Sequence, residues 1–266
     1  MASTVSLEGV QKAFLFPFEG KDRGTKLLLG AAINFANFFI PLVPSVLILG
    51  YAGQIMKAVI RRDEDPAMPE WTDWGAFFGD GIRLAGVAFL YSLPGILVTI
   101  FGYLVMVVLG FGFNMLGGML SVNLNQSGTL NPGPMLLSFA ASMGMTFFGM
   151  FCMMIGFLLM LAAILIYPAA MGNMIARGSF AGAFRFREWW PLFKANLGGY
   201  LVAFFLTLGL GMMMLFMIQI LYVSVVLCFL LPFVGSLLGY FMILSSYTLF
   251  AVAYRDAQHR LGATPA

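Results

Sequence analysis

The sequence predicts an all-α integral membrane protein that crosses the bilayer six times as three helical hairpins, with five crossings as the alternative. Three observations carry this reading. Apolar residues make up 61% of the 266-residue chain and charged residues only 9%, against about 25% charged in a soluble domain; only lipid covers that much apolar side chain. All fourteen Lys and Arg and all eleven Asp and Glu fall within residues 8–26, 57–83, 177–194 and 255–260. The intervening stretches, 27–56, 84–176 and 195–254, hold none, and a charge at the bilayer centre costs about 2.5 to 3.5 kcal/mol on insertion scales. Each charge-free stretch is also interrupted by proline and glycine, as paired crossings require.

The chain opens on a polar segment, residues 1–26, with no apolar run ending in a small-residue cleavage site. It reads as a retained cytoplasmic segment rather than a signal peptide. Residues 27–60 as one helix would be about 50 Å long, too long for a hydrocarbon core of about 30 Å. They contain "FFIPLVPSVL" (38–47), which pairs with "FLLPFVGSLL" (229–238): Phe38, Pro41, Val43 and Ser45 match Phe229, Pro232, Val234 and Ser236. This weak internal repeat places hairpin breaks at Pro41 and Pro44, and again at Pro232 and Gly235. Residues 84–176 hold two long spans around the polar loop "SVNLNQSGTLNPGP" (121–134), and residues 195–254 hold two more around "LLPFVGS" (230–236). With six crossings, all four charged segments, including the tail 255–266, share one side. The positive-inside rule makes that side cytoplasmic.

Two charged connectors remain. Residues 61–83 place Trp71, Trp74 and Phe78 at helical spacing, with Asp73 and Asp80 turned elsewhere. Residues 177–194 carry Phe180, Phe184, Trp189, Trp190 and Phe193 among Arg185, Arg187 and Lys194. All four tryptophans lie in these two connectors. Both read as amphipathic helices in the membrane interface, where Trp prefers the headgroup level and cations meet anionic lipid. Trp71, Trp74, Phe78, Arg185, Arg187, Trp189 and Trp190 are therefore the candidate contacts for lipids or a partner. The acids Asp63, Glu64, Asp65, Glu70 and Asp73 match no calcium-loop spacing and read as a solvated connector.

Chemistry is sparse elsewhere. Cys152 and Cys228 lie in apolar stretches without metal-ligand spacing. The methionines of "MTFFGMFCMM" (145–154) and "MMMLFM" (212–217) read as packing filler rather than a copper path. Glycines such as Gly102, Gly110, Gly112, Gly117 and Gly118 suit close helix approach. At membrane depth the polar residues are chiefly Asn34, Asn37, Gln54, Asn114, Asn173 and Gln219; they read as bonds between helices or, second, as a polar path. His259 reads as a solvated tail residue. No catalytic set, cofactor motif or metal site is evident, and a net charge of +3 without a basic run gives no nucleic-acid footprint.

Several segments resemble an uncharacterised family of bacterial and archaeal integral membrane proteins, domain of unknown function 4013. They are "FPFEG" (16–20), "LLLG" before the first span, the Pro and "GY" of the first hairpin, and "DPAMPEWTDWGAFFGDGIR" (65–83) with "YSLP" (91–94). "ARGSFAGAFRF" (176–186), "GGYL" (198–201), "LPFVG" and "YRDA" complete the likeness. The resemblance spans nearly the whole chain and is most specific at "PEWTDWG". It implies a polytopic helical membrane protein and supplies no activity, ligand or catalytic residue.

The functional expectation is a non-enzymatic protein of the prokaryotic plasma membrane. Charge and aromatic side chains gather on one face while the membrane interior lacks reactive groups. That pattern suits a scaffold or accessory subunit organising membrane lipids or an unidentified membrane protein partner. The alternative is a small permease or facilitator for an uncharged or lipid-like solute, since transporters often carry internal repeats and broken helices.

Overall fold

A computed structural model describes residues 7–20, 22–123, 132–224 and 227–262. Among these residues all regular structure is helical. The helices are α1 (Leu7–Leu15), α2 (Arg23–Phe35), α3 (Val43–Arg61), α4 (Trp74–Leu104), α5 (Phe111–Asn123), α6 (Pro132–Arg177), α7 (Phe186–Ala195), α8 (Leu197–Val223) and α9 (Leu231–Leu261). A π-helical stretch, Val105–Gly110, joins α4 to α5 without a break. Among the described residues, five helical stretches are long and apolar enough to span a bilayer: Val43–Arg61, Trp74–Ser121, Pro132–Arg177, Leu197–Val223 and Cys228–Leu261. The protein is an all-α polytopic membrane protein. Residues 124–131 of the expected polar loop lie outside the described residues.

The chain forms two compact units, one of Met1–Ala88 with Leu165–Ala266 and the other of Phe89–Ile164. In the first, α3 and α9 lie side by side around Ile48, Tyr51, Ile55, Tyr240 and Leu244. Tyr51 meets Tyr240 and Arg255 meets Glu64, so the two helices run parallel. α2 runs the other way along α9: a Cβ at Gly30 would meet the Tyr240 ring, while Asn34 bonds Ser236 and Phe35 stacks on Phe233. α2 and α3 are thus a hairpin, as the proline break predicts. Its turn is tight: the Val43 N–H donates to Pro41 O at 3.1 Å around Leu42, whose φ is 76°. Pro44 then sits in the first turn of α3, where its missing N–H leaves no bond unmade.

Two expectations need correction. The first arm of this hairpin was expected as a full crossing, yet α2 has 13 residues, about 20 Å; the hairpin is unequal. The last break also falls earlier than expected. α8 ends at Val223, a short 3-10 turn covers Cys228–Leu230, and Pro232 stands in the first turn of α9. Gly235 lies inside α9, so it breaks nothing.

In the second unit, α4 and α5 pack antiparallel on α6 through small residues. A Cβ at Gly102 would stand 2.6 Å from Gly149 O, and one at Gly95 2.7 Å from Gly156 O. Gly117 meets Ser138 in the same row. Gly112 and Gly118, expected in this role as well, face open space.

Candidate functional site

The first connector is not an interfacial helix along its length. From Asp63 to Glu70 the chain has no helical structure. Pro66 and Pro69 hold their predecessors out of the α region, and the segment lies as a strap over α1, α3 and α9. Its acids are fasteners. Asp63 pairs with Arg255 at 3.6 Å and with His259 at 3.4 Å, and Asp65 with Lys12 at 2.9 Å. Glu64 pairs with Arg62 at 3.2 Å. The backbone helps: Lys26 donates to Met68 O and the Tyr51 hydroxyl to Pro69 O, each at 2.8 Å. Among the described residues, no three His, Cys, Asp or Glu side chains gather as a metal site.

The strap ends on Trp71, whose ring stacks on Tyr51 at 4.1 Å and 14°. Trp71 is therefore held in an aromatic cluster with Phe77 and Tyr240 and does not share a helix face with Trp74 and Phe78. Asp73 starts α4: its Oδ1 accepts the Ala76 N–H at 3.0 Å, the N-cap bond that sets a helix start. Trp74 and Phe78 are exposed.

Asp80 does turn inward. It is 8% exposed, because α4 crosses α3 where Gly50 faces Phe77 O and Gly81 faces Val46 O, and a side chain at either position would hold the helices apart. Its Oδ2 accepts from Gln54 at 2.6 Å and from Lys57, and Arg83 stands 3.9 Å from Oδ1. Gln54, a candidate for a polar path, is spent on this carboxylate.

The second connector folds differently. Gly178, with φ 64°, ends α6 in the left-handed conformation that favours glycine there. A 3-10 turn, Phe180–Phe184, leads into α7. Glu188 draws this corner together: its Oε2 accepts from Asn173 at 3.2 Å and faces Arg177 at 3.3 Å, while Arg185 faces Oε1 at 3.3 Å. The Asn173 amide first, then the arginines, holds the Glu188 carboxyl below the usual glutamate range. Tyr254 on α9 donates to Asn173 Oδ1 at 3.1 Å, tying α9 in. Trp189, expected as a surface contact, is 1% exposed and donates its ring N–H to Ala183 O at 3.0 Å. Trp190 stacks on Phe186 with Lys194 over its ring. Arg187 is exposed and has no ion pair among the described residues.

The remaining polar candidates are helix glue or lie apart. Asn34 donates to Ser236 O at 2.8 Å and accepts from Asn37 at 3.0 Å. Asn37 Oδ1 accepts both the Ser45 N–H and its hydroxyl, capping α3 across the turn. Asn114 of α5 bonds back to Gly110 O at the end of the π-helical stretch before it, and Gln219 is exposed on α8. Sequence reading missed one feature, the run Ser245-Ser246-Tyr247-Thr248 in the middle of α9, where Ser245, Ser246 and Thr248 are buried. Four hydroxyls in succession within a charge-free span were the signal.

No curated protein and no solved structure matches the chain. Residues 34–223, which contain the first hairpin turn, the strap, α4 to α8 and both connectors, match the family described as a protein of unknown function, DUF4013, and the chain belongs to that family.

Proposed function

We propose that the protein is a non-enzymatic scaffold or accessory subunit of the prokaryotic plasma membrane, working through its charged face. The observation that supports this best is the way three distant charged segments, 8–26, 57–83 and 255–260, are fastened together by ion pairs, while the fourth, 177–194, is braced within itself by Arg177 and Glu188 at a corner that Asn173 ties to Tyr254 of α9. Lys12, Asp63, Asp65, Arg177, Glu188 and Arg255 are engaged within that face, so it is braced rather than loose. What it leaves outward is a cation-and-aromatic surface: Arg61, Arg187, Trp74, Phe78, Phe184 and Phe186 are all exposed. Exposed aromatic groups beside arginine are the composition of binding hot spots. Basic residues near the headgroups also favour anionic lipid, and α7 packs Trp189, Leu192 and Phe193 into the protein while Arg187 and Lys194 stand outward, where headgroups can meet them. The positive-inside rule places this face in the cytoplasm.

The facilitator reading is weaker. Asn34, Asn37 and Gln54, which a polar path would need, are engaged in bonds that hold helices together.

Co-purification from native nanodiscs with a C-terminal tag tests the proposal. A stoichiometric protein partner or an enriched anionic lipid is expected, and is expected to be lost in a Trp74→Ala, Phe78→Ala, Arg187→Ala variant that keeps its thermal stability. Retention of nothing, with solute flux in liposomes that survives this variant but fails in Asn34→Leu, would replace the scaffold with a facilitator.

A further inference from the structure

The hydroxyl run on α9 opens onto a cavity of about 150 Å³ inside the first unit, where α3, α6, α8 and α9 meet. Thr207 of α8 and Ser246 of α9 both stand in its wall. Both hydroxyls are buried without a hydrogen-bond partner. That departs from the habit of this chain. Thr99, Ser138, Ser142 and Thr146, also in apolar helices, each bond back to a carbonyl of their own helix. Buried polar groups in native structures are nearly always paired, so an orphan asks for a partner not yet counted. Ser245 and Thr248 are orphaned too but do not line the cavity; the weight falls on two orphans from two helices meeting at one void. Tyr167 and Tyr247 stand in the same wall.

We propose that this cavity binds a small, neutral, membrane-soluble molecule bearing a hydrogen-bond-accepting oxygen, a carbonyl or an ether, on a body about the size of one aromatic ring. Each wall hydroxyl can donate one proton as well as accept; a carbonyl or ether oxygen, with two lone pairs, can take the protons of Thr207 and Ser246 at once, which a single donor group cannot. No ionisable carboxylate or cation lines the cavity, which disfavours an ion at membrane depth. Met56, Met171, Met242 and Phe250 supply the rest of the wall; thioethers adapt to a flat ring and pack well against it. A void near 150 Å³ is about the size that admits benzene in a protein interior. The proposal does not rest on the scaffold reading, which concerns the charged face and stands or falls by partner capture.

The test uses the full-length protein in nanodiscs and ¹⁹F NMR titration with 4-fluoroacetophenone, with 4-fluoroethylbenzene as the ligand of similar shape lacking the oxygen. Saturable binding of the ketone is expected, about tenfold tighter than that of the hydrocarbon, since one hydrogen bond is worth about that factor. The near-isosteric double variant Thr207→Val, Ser246→Ala is expected to weaken the ketone by about tenfold and to leave the hydrocarbon unchanged. Purely linear partitioning of the ketone would overturn the proposal, showing a cavity that holds only water. So would equal affinity for the two probes in the native protein, showing an apolar void; this comparison needs no variant to fold.

Discussion

Asp80 shows how much one side chain settles at the residue scale. Its carboxylate is 11% exposed and its partner Lys57 29% exposed, so the two charges are not equally trapped. Lys57→Met leaves a nearly buried anion with Gln54 and a distant Arg83; breaking a buried pair from one side costs about 3 to 5 kcal/mol, and the partial exposure here lowers that to about 2. Asp80→Asn keeps a hydrogen-bonding group beside Gln54, and the freed lysine can extend toward water; about 1 kcal/mol is expected. The double variant should lose less than the sum of the two. Unfolding in mild detergent reads all three, and an effect of Lys57→Met smaller than that of Asp80→Asn would sink the argument. The sequence showed that Asp80 points away from Trp74 and Phe78. It could not show what Asp80 meets, because Gln54 and Lys57 are brought to it only by the glycine contacts between α3 and α4.

Elements were legible wherever a single local rule decides them. Pro44 and Pro232 mark the first turns of α3 and α9, and the repeat that suggested two equivalent breaks corresponds to two parallel helices, although α9 starts at Leu231, three repeat positions ahead of the start of α3 at Val43. The first connector was misread because Trp71, Trp74 and Phe78 have helical spacing by coincidence. Pro66, Pro69 and the Asp73 cap together fix the helix start at Trp74, and capping outranks periodicity over so short a stretch. Glycine spacing was likewise only half informative, since a span presents glycine on every side and only contact reveals which face is used. A paired test follows for the α4–α6 contact. Gly102→Ala puts a methyl group 2.6 Å from Gly149 O and 2.8 Å from the Cys152 Cβ; the carbonyl is backbone and cannot swing away, so a loss of about 1 to 3 kcal/mol is expected. Gly112→Ala meets nothing within 4 Å and should be neutral or up to about 1 kcal/mol stabilising through helix propensity. Thermal unfolding of the two variants side by side checks the contrast, and equal behaviour would mean the helices do not approach through Gly102.

For the whole molecule, the depth at which the short first hairpin ends in the bilayer follows from the helices beside it. α8 is charge-free over its 27 residues, and α9, 31 residues long, carries charge only from Arg255 onward, near its C-terminal end, so their turn at Cys228–Leu230 belongs on the side opposite the charged face. Phe35 stacks on Phe233 at 4.9 Å and 12°, which sets the tip of the α2–α3 hairpin at the level of that turn. Lys26, bonded to the strap at Met68 O, lies only about 18 Å along the helix from Phe38, well short of a core of about 30 Å. Both facts hold together if the bilayer thins beside α2 and Lys26 reaches out along its stem. The tip itself is apolar and outward, with Phe38, Phe39, Ile40 and Leu42 all exposed, as suits residues resting in the far interface. Membrane-impermeant maleimide on intact cells can decide it. Native Cys228 is exposed and should react from outside. Ile40→Cys in a Cys228→Ser background should react from the same side, while Glu70→Cys in that background should react only after the cells are opened. Protection of position 40 under both conditions would place the tip inside the bilayer and make the first hairpin re-entrant, leaving four full crossings and the same side for every charged segment.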